Sequence, residues 1–283
     1  MEFQELFDLP PVFQPLSWKA AEDAGIRVQV LREDLRHPVL GGNKLWKLKY
    51  NLEDYRNSGS SCIVSFGGAY SNHLLAISEA CHQLAIPLHA FIRGEEEPLN
   101  ERIERMISVG TIVHYLSRSE YRKKEDTIFL QHLLNKFQLP HNSFIIPEGA
   151  NNASGRRGCS ELGKLIPITT HKVLVAVGTG GTMKGLLEGI SESTLVTGIL
   201  TGHFKDVSIQ SSRAHLLTNY AWKGYGKWED GLMSFMKQFS LVTAIPLEPV
   251  YTGKLFYALN DLVEKGYFQR GSEITVLHSG GLG

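Results

Sequence analysis

Cysteine is scarce in this chain of 283 residues: its three copies, Cys62, Cys81 and Cys159, stand far apart in apolar surroundings. An odd number with no C-x-x-C spacing excludes a disulfide framework and a thiolate zinc site, and predicts reduced core residues. Charge excess is missing as well, since lysine plus arginine and aspartate plus glutamate both total 29, with no long run of either sign. Nucleic acid and anionic membrane surfaces are therefore poor partners. No stretch of about 18 apolar residues occurs, so no membrane-spanning helix is expected. The opening Met1-Glu2-Phe3-Gln4-Glu5-Leu6 is acidic and has no basic segment leading into an apolar one. The expectation is a soluble, cytoplasmic protein. The eleven histidines form no H-E-x-x-H or His-x-His pattern, and Glu95-Glu96-Glu97 reads as a solvated helix start. No metal site is expected. No Gly-x-Ser-x-Gly elbow is present, and Ser71 has no legible His and Asp partners, which sets a serine hydrolase aside. Repeats, low-complexity tracts and Pro/Gly/Ser-rich linkers are also absent, so two domains, if present, are expected to pack together.

What the chain has is a rhythm. Ile63-Val64-Ser65-Phe66 precedes a helical stretch from Ser71 to Leu84, and Leu88 to Ile92 precedes another from Leu99 to Val109. Ile112 to Tyr115, a polar helix from Glu125 to Phe137, and Ser143 to Ile146 continue it. A second copy runs from Lys172–Val177 through a helix near Met183 to Ile190 into Leu195–Leu200, and the chain closes on Ile274–Leu277. Strands alternating with helices in this way predict an α/β fold with a parallel sheet covered on both faces. The stretch from His203 to Gly226 is aromatic and basic without a clean period, and no element is assigned there.

Three turns fall at the carboxyl ends of predicted strands, where open α/β sheets place ligands. Gly67-Gly68-Ala69-Tyr70-Ser71-Asn72-His73 offers a hydroxyl, an amide and free N–H groups at a helix start, which suits an anion as well as it suits a plain Ser N-cap. Gly178-Thr179-Gly180-Gly181-Thr182 is a cradle for one phosphate. It is no Walker loop, and it lacks the acidic residue a dinucleotide ribose needs near Leu200-Thr201-Gly202-His203. His278-Ser279-Gly280-Gly281 ends the last strand. Upstream, Gly41-Gly42-Asn43-Lys44 puts a lysine on the first turn of a helix. The positive end of the helix dipole disfavours an ammonium ion there and lowers its pKa, as a nucleophilic amine requires, although a solvated lysine is the commoner outcome. Tyr251, in Pro249-Val250-Tyr251-Thr252-Gly253-Lys254, is placed between a proline-kinked strand and a helix start, where a packing role is the ordinary one.

These five motifs, in their order and approximate spacing, resemble the pyridoxal-phosphate family that contains 1-aminocyclopropane-1-carboxylate deaminase and D-cysteine desulfhydrase. The resemblance runs from Arg32-Glu33-Asp34 to Gly281. It implies the two-domain, parallel-sheet fold of the tryptophan-synthase-β-like, fold type II enzymes. The larger cofactor domain would be 1–47 with 153–283, a smaller α/β domain would be inserted at 48–152, and the cofactor would lie between them. It implies further that Lys44 holds pyridoxal 5'-phosphate covalently, that Asn72 bonds its ring hydroxyl, and that Gly178, Thr179, Gly180, Gly181 and Thr182 hold its phosphate. Ser71, with Asn72 and His73, would take the carboxylate of a small amino-acid substrate. Tyr251 would lie against the ring at the reacting face, and Thr252 or Ser279 would face the pyridine nitrogen. Members of the family are usually homodimers.

Three departures bear on substrate. Trp46 stands where the family usually has a basic residue, the segment before Tyr251 is short, and Thr252 follows Tyr251 where the cyclopropane deaminases usually have glutamate. The expectation is a lyase acting by α,β-elimination on D-cysteine, with the cyclopropane-carboxylate deaminase or another D-amino-acid lyase as the alternative. Two other classes stay open: a Rossmann oxidoreductase, against which the missing ribose acid counts, and a catalytically silent cofactor-binding protein.

Overall fold

The computed structural model describes residues 3–7, 10–37, 40–94, 100–204 and 207–281. The helix start expected at Glu95-Glu96-Glu97 lies outside the described residues, as does Leu99. The chain divides into two compact units, Met1–Leu9 with Lys44–Gly155, and Pro10–Asn43 with Arg156–Gly283. The strands are β1 (Phe13–Pro15), β2 (Arg27–Arg32), β3 (Ile63–Gly68), β4 (Leu88–Arg93) and β5 (Ile112–Leu116). They continue as β6 (Phe144–Ile146), β7 (Lys172–Val177), β8 (Leu195–Leu200), β9 (Ala214–Leu217) and β10 (Glu273–His278).

The unit containing Lys44–Gly155 is built on a four-stranded sheet, β5-β4-β3-β6, in which every pairing is parallel. Ile63 stands opposite Leu88 on one side and Phe144 on the other, and β3 is buried from Ile63 through Gly67. A strand that reads as one apolar run rather than an alternating one is what burial on both faces demands. One face carries Val64, Phe66, Phe91 and Leu116 against Leu133, Leu134 and Tyr121. Ser71 caps the helix Asn72–Gln83 directly after β3, its hydroxyl accepting from the Leu74 N–H. That cap is the N-terminal signal visible in the sequence.

The other unit has a six-stranded sheet, β1-β2-β10-β7-β8-β9, parallel except for the short β1 against β2. The helix Thr252–Glu264 buries Leu255, Phe256, Leu259, Leu262 and Val263 against Val28, Val30, Leu174 and Val276. Its i, i+4 apolar stripe is the usual means by which a helix covers a sheet. The helices Ala153–Lys164 and Gly181–Gly189 approach so closely that a Cβ on Gly185 would sit 2.3 Å from Cys159 Cβ, and one on Gly189 1.9 Å from Ser160 O. All three cysteines are buried and none forms a disulfide. Among the described residues no helix is long and apolar enough to cross a membrane, and no group of three metal-capable side chains occurs.

The parallel-sheet rhythm holds at the expected positions, with two differences. The kinked strand expected before Tyr251 is absent: the helix Asp230–Thr243 ends in a left-handed Ala244, and the chain then turns irregularly to Tyr251. Among its described residues, the unassigned stretch from His203 to Gly226 holds the edge strand β9 and a 3-10 turn, Asn219–Ala221. An edge strand of four residues is too short to impose a period of two on the sequence.

Candidate active site

Lys44, Ser71, Asn72 and His73 belong to one unit. Lys44 is half-buried in the first turn of the helix Asn43–Ser58, the placement that sets an ammonium ion against the helix dipole. Ser71 and Asn72 are half-buried at the start of the next helix. The Ser71 oxygen is taken by the Leu74 N–H at 3.2 Å, which leaves the hydroxyl proton to give.

His73, expected beside the substrate, is instead turned into the core, 3% exposed. Ser65 Oγ donates to Ile146 O at 2.8 Å, so at its 2.9 Å contact with His73 Nε2 it must accept. The imidazole is therefore the Nε2–H tautomer, and its buried Nδ1 is a bare lone pair with no partner. Burial, and then the charges of Lys44 and Lys47, push its pKa down to about 3. The unfolded chain binds this proton near pH 6.5 and the folded one does not, so stability is full above 6.5 and is lost as pH falls. By pH 5 the loss is about 2 kcal/mol. Urea denaturation of the parent and of His73→Phe at pH 7.5 and 5 should show the variant losing distinctly less on acidification; parallel losses would disprove the assignment.

Gly178–Thr182, Tyr251, Thr252 and Ser279 belong to the other unit. Gly180, in the left-handed region at φ +87°, precedes the helix Gly181–Gly189, whose first turn has no side-chain cap. Those N–H groups stay available to an anion, and a left-handed residue there favours glycine. Thr182 Oγ1 accepts from Asn43 Nδ2 at 2.7 Å, and the Asn43 N–H meets Ser279 O at 3.3 Å. At Gly42 a Cβ would lie 1.9 Å from Ser279 O. The residues just ahead of Lys44 are thus tied both to the glycine loop and to the end of β10. The end of β10 is itself anchored, His278 Nε2 donating to Pro246 O at 2.7 Å, with Nδ1 3.0 Å from Asp34 Oδ1. Burial would raise the Asp34 carboxyl, but hydrogen bonds and charge from His278 and Arg32 outweigh it and hold it down at about 2.

Tyr251 is half-buried, and a Cβ on Gly178 would come within 3.4 Å of its ring. Thr252, one of the two hydroxyls expected to face the pyridine nitrogen, is turned inward. It is fully buried, its hydroxyl accepting from the Glu248 N–H at 2.9 Å and donating back to Glu248 at 3.3 Å. The Glu248 carboxylate in turn accepts from the N–H groups of Val250, Tyr251 and Thr252 at 2.7 to 2.8 Å, capping the helix Thr252–Glu264. Of the two hydroxyls expected near the ring nitrogen, only that of half-buried Ser279 is uncommitted by such a cap.

The structure adds two residues that the sequence did not reveal. Tyr225 brings its hydroxyl to 3.2 Å from that of Tyr251, which donates to it, with the rings edge to face at 5.8 Å. Lys254 is fully buried, its Nζ donating to Thr201 O at 2.7 Å, Gly224 O at 3.2 Å and Ala221 O at 3.4 Å. Burial pushes its pKa down, opposed by the Glu248 carboxylate. This cation holds the segment that carries Tyr225 onto the helix that begins after Tyr251. Lys254→Met should leave three carbonyls short of a donor and cost about 3 kcal/mol or more, read as a lower urea midpoint. A midpoint within error of the parent's would show the cation to be dispensable.

In one unit a lysine on a first turn and a half-buried asparagine amide suit an aldehyde and a phenolic oxygen; in the other an uncapped helix start behind a left-handed glycine suits a phosphate. Fold and sequence together define a pyridoxal-phosphate enzyme. The chain belongs to the family described as pyridoxal-phosphate dependent enzymes, whose sequence profile matches residues 14–202. It is 28% identical over 286 residues to a Pyrococcus horikoshii protein provisionally named 1-aminocyclopropane-1-carboxylate deaminase, covering 93% of this chain and 86% of that one. It is 26% identical over 296 residues to the Arabidopsis thaliana bifunctional D-cysteine desulfhydrase/1-aminocyclopropane-1-carboxylate deaminase, covering 91% and 73%. A solved structure, described as the crystal structure of the ACC deaminase homologue, superposes with a TM-score of 0.81 at 26% identity, covering 98% of this chain and 91% of the other. The cofactor of this enzyme is pyridoxal phosphate.

Proposed function

We propose that this enzyme is a lyase that carries out α,β-elimination on D-cysteine, releasing pyruvate, ammonia and hydrogen sulfide with the uptake of one water. The observation that carries the choice is Thr252, an uncharged residue after Tyr251. Opening a cyclopropane ring that has no α-hydrogen calls for an acid beside the reacting carbon, and the nearby carboxylate of Glu248 is committed to three backbone N–H groups. When bound, the cofactor supplies an electron sink for the pair left at the α-carbon. Lys44 would hold the cofactor and would take the α-proton of the substrate. Ser71 donates its hydroxyl proton to the substrate carboxylate, helped by the N–H groups of the helix that follows it. Tyr251 gives a proton to the departing sulfur, and Tyr225, hydrogen-bonded to it, connects that hydroxyl onward. Asn72 would donate to the ring oxygen, and Gly178 to Thr182 would hold the phosphate. Ser279, uncharged, would leave the ring nitrogen weakly bonded, a setting that favours elimination over transamination.

The alternative, deamination of 1-aminocyclopropane-1-carboxylate, is favoured by the name of the Pyrococcus relative. Side-by-side assay separates the two: the expected result is sulfide and pyruvate from D-cysteine and little 2-oxobutyrate from the cyclopropane. Substantial 2-oxobutyrate without sulfide would overturn the desulfhydrase reading. Activity on neither would move the substrate to another small D-amino acid, with Trp46 the first position to examine.

A further inference from the structure

The helix Glu101–Ser108 lies outside every motif that pointed to the cofactor, yet its first turn is stitched to the turn that carries Ser71 and Asn72. Asn100 caps the helix, its Oδ1 accepting from the N–H groups of Arg102 and Ile103 at 3.0 Å each, while its Nδ2 donates to Ala69 O at 3.2 Å. Half-buried Arg102 reaches the same turn, donating through Nη1 to Tyr70 O at 2.8 Å and to Asn72 Oδ1. A guanidinium has five N–H donors and no acceptor. It can therefore meet only the carbonyl end of the Asn72 amide, and the amide's NH2 end must point away from it. That end has no acceptor among the described residues.

This orientation matters for the ring oxygen. A carboxamide turned by half a turn about its last bond presents an oxygen where it had presented a donor, and the two ends are close to isosteric. Facing an ionised phenolic oxygen, the NH2 end attracts and the carbonyl end repels. We propose that Arg102 is a positioning residue that selects the cofactor-binding orientation of Asn72, holding its carbonyl so that its NH2 is presented to the ring oxygen of pyridoxal phosphate. The proposal rests on the reading of Asn72 as the donor to that oxygen. On this reading Arg102 does not itself touch cofactor or substrate. It acts through Asn72, and it does so before the cofactor arrives.

The test uses Asn72→Ala, Arg102→Met and the double variant, purified and stripped of cofactor. Each is titrated with pyridoxal phosphate to give a dissociation constant, and the reloaded protein is then scanned by absorption across pH. Losing an orientated, charge-assisted donor should weaken cofactor binding roughly 5- to 30-fold in either single variant. Both should move the pH dependence of the visible band in the same direction, and the double variant should be no worse than Asn72→Ala alone. A purely structural role for Arg102, through Tyr70 O, would instead add its loss on top of that of Asn72→Ala, which would overturn the proposal. An Arg102→Met protein with parental affinity and spectrum would overturn it as well. If Asn72→Ala itself changes neither measurement while Lys44→Ala loses the band, the fault lies in the reading of Asn72, and the proposal falls with it. Should Arg102→Met fail to fold, Arg102→Gln decides: its amide offers an acceptor as well as donors and no longer forces the carbonyl end of Asn72 toward it, and a fully parental spectrum and affinity would overturn the proposal.

Discussion

Lys44→Ala is expected to abolish the visible absorption band of the purified protein and to lower turnover of D-cysteine by at least about a thousandfold. The substitution removes the one amine asked both to hold the cofactor and to move the α-proton. Its effect on the fold should run the other way. Alanine is the best helix former, and taking a cation off the first turn of Asn43–Ser58 relieves an unfavourable meeting with the helix dipole, worth about 0.3 to 1 kcal/mol. The thermal midpoint of the cofactor-free variant should therefore equal or slightly exceed that of the cofactor-free parent. This opposition of signs makes the experiment informative, because an unfolded protein would lose colour and stability together. A parent that stays colourless after incubation with pyridoxal phosphate, or a variant that keeps the band, would refute the placement of the cofactor on Lys44.

The parts of this site that could be read from the sequence are those whose meaning is local. A glycine turn between a β-branched run and a helix, with hydroxyls at the junction, is legible at Gly67–Ser71 and Gly178–Thr182 because the strand, the turn and the helix start lie within a dozen residues. Lys44 was legible for the same reason: its significance comes from its place on a helix turn. The residues that escaped notice act across long separations. Tyr225 meets Tyr251 across 26 residues, Arg102 meets Asn72 across 30, and Lys254 meets Thr201 across 53, with no spacing rule to announce them. Lys254 did leave one trace, a lysine on the apolar face set by Leu255, Phe256, Ala258 and Leu259, where a solvated charge has no place. At Thr252 and His73 the sequence shows the position but not the orientation of the side chain. Which way a side chain points at a helix start depends on its neighbours, here Glu248 for one and Ser65 for the other. The fold is more legible than the site, since β3, β4, β7, β8 and β10 are six-residue segments rich in apolar and β-branched residues whereas β1, with three residues and a proline, carries almost no pattern.

Tyr251→Phe should separate packing from chemistry. The ring lies against Gly178 and beside Tyr225, and phenylalanine keeps both contacts, so cofactor affinity and the visible band should stay at the parental level. What is lost is one hydroxyl, the group asked to protonate the departing sulfur, and general acid catalysis of this kind contributes about a hundredfold or more. The loss should appear equally in kcat and kcat/KM, since the proton moves only as the carbon–sulfur bond breaks and ground-state binding does not use it. Tyr225→Phe should cost less, because Tyr251 keeps its own proton and loses only the partner that accepts from it at 3.2 Å. Substrates with better leaving groups supply an independent check: a β-substituent that departs without a proton should restore much of the rate to Tyr251→Phe while leaving Lys44→Ala inert. Parental turnover in Tyr251→Phe would remove the hydroxyl from the reaction, and an equal loss on every leaving group would make it a structural contact rather than an acid.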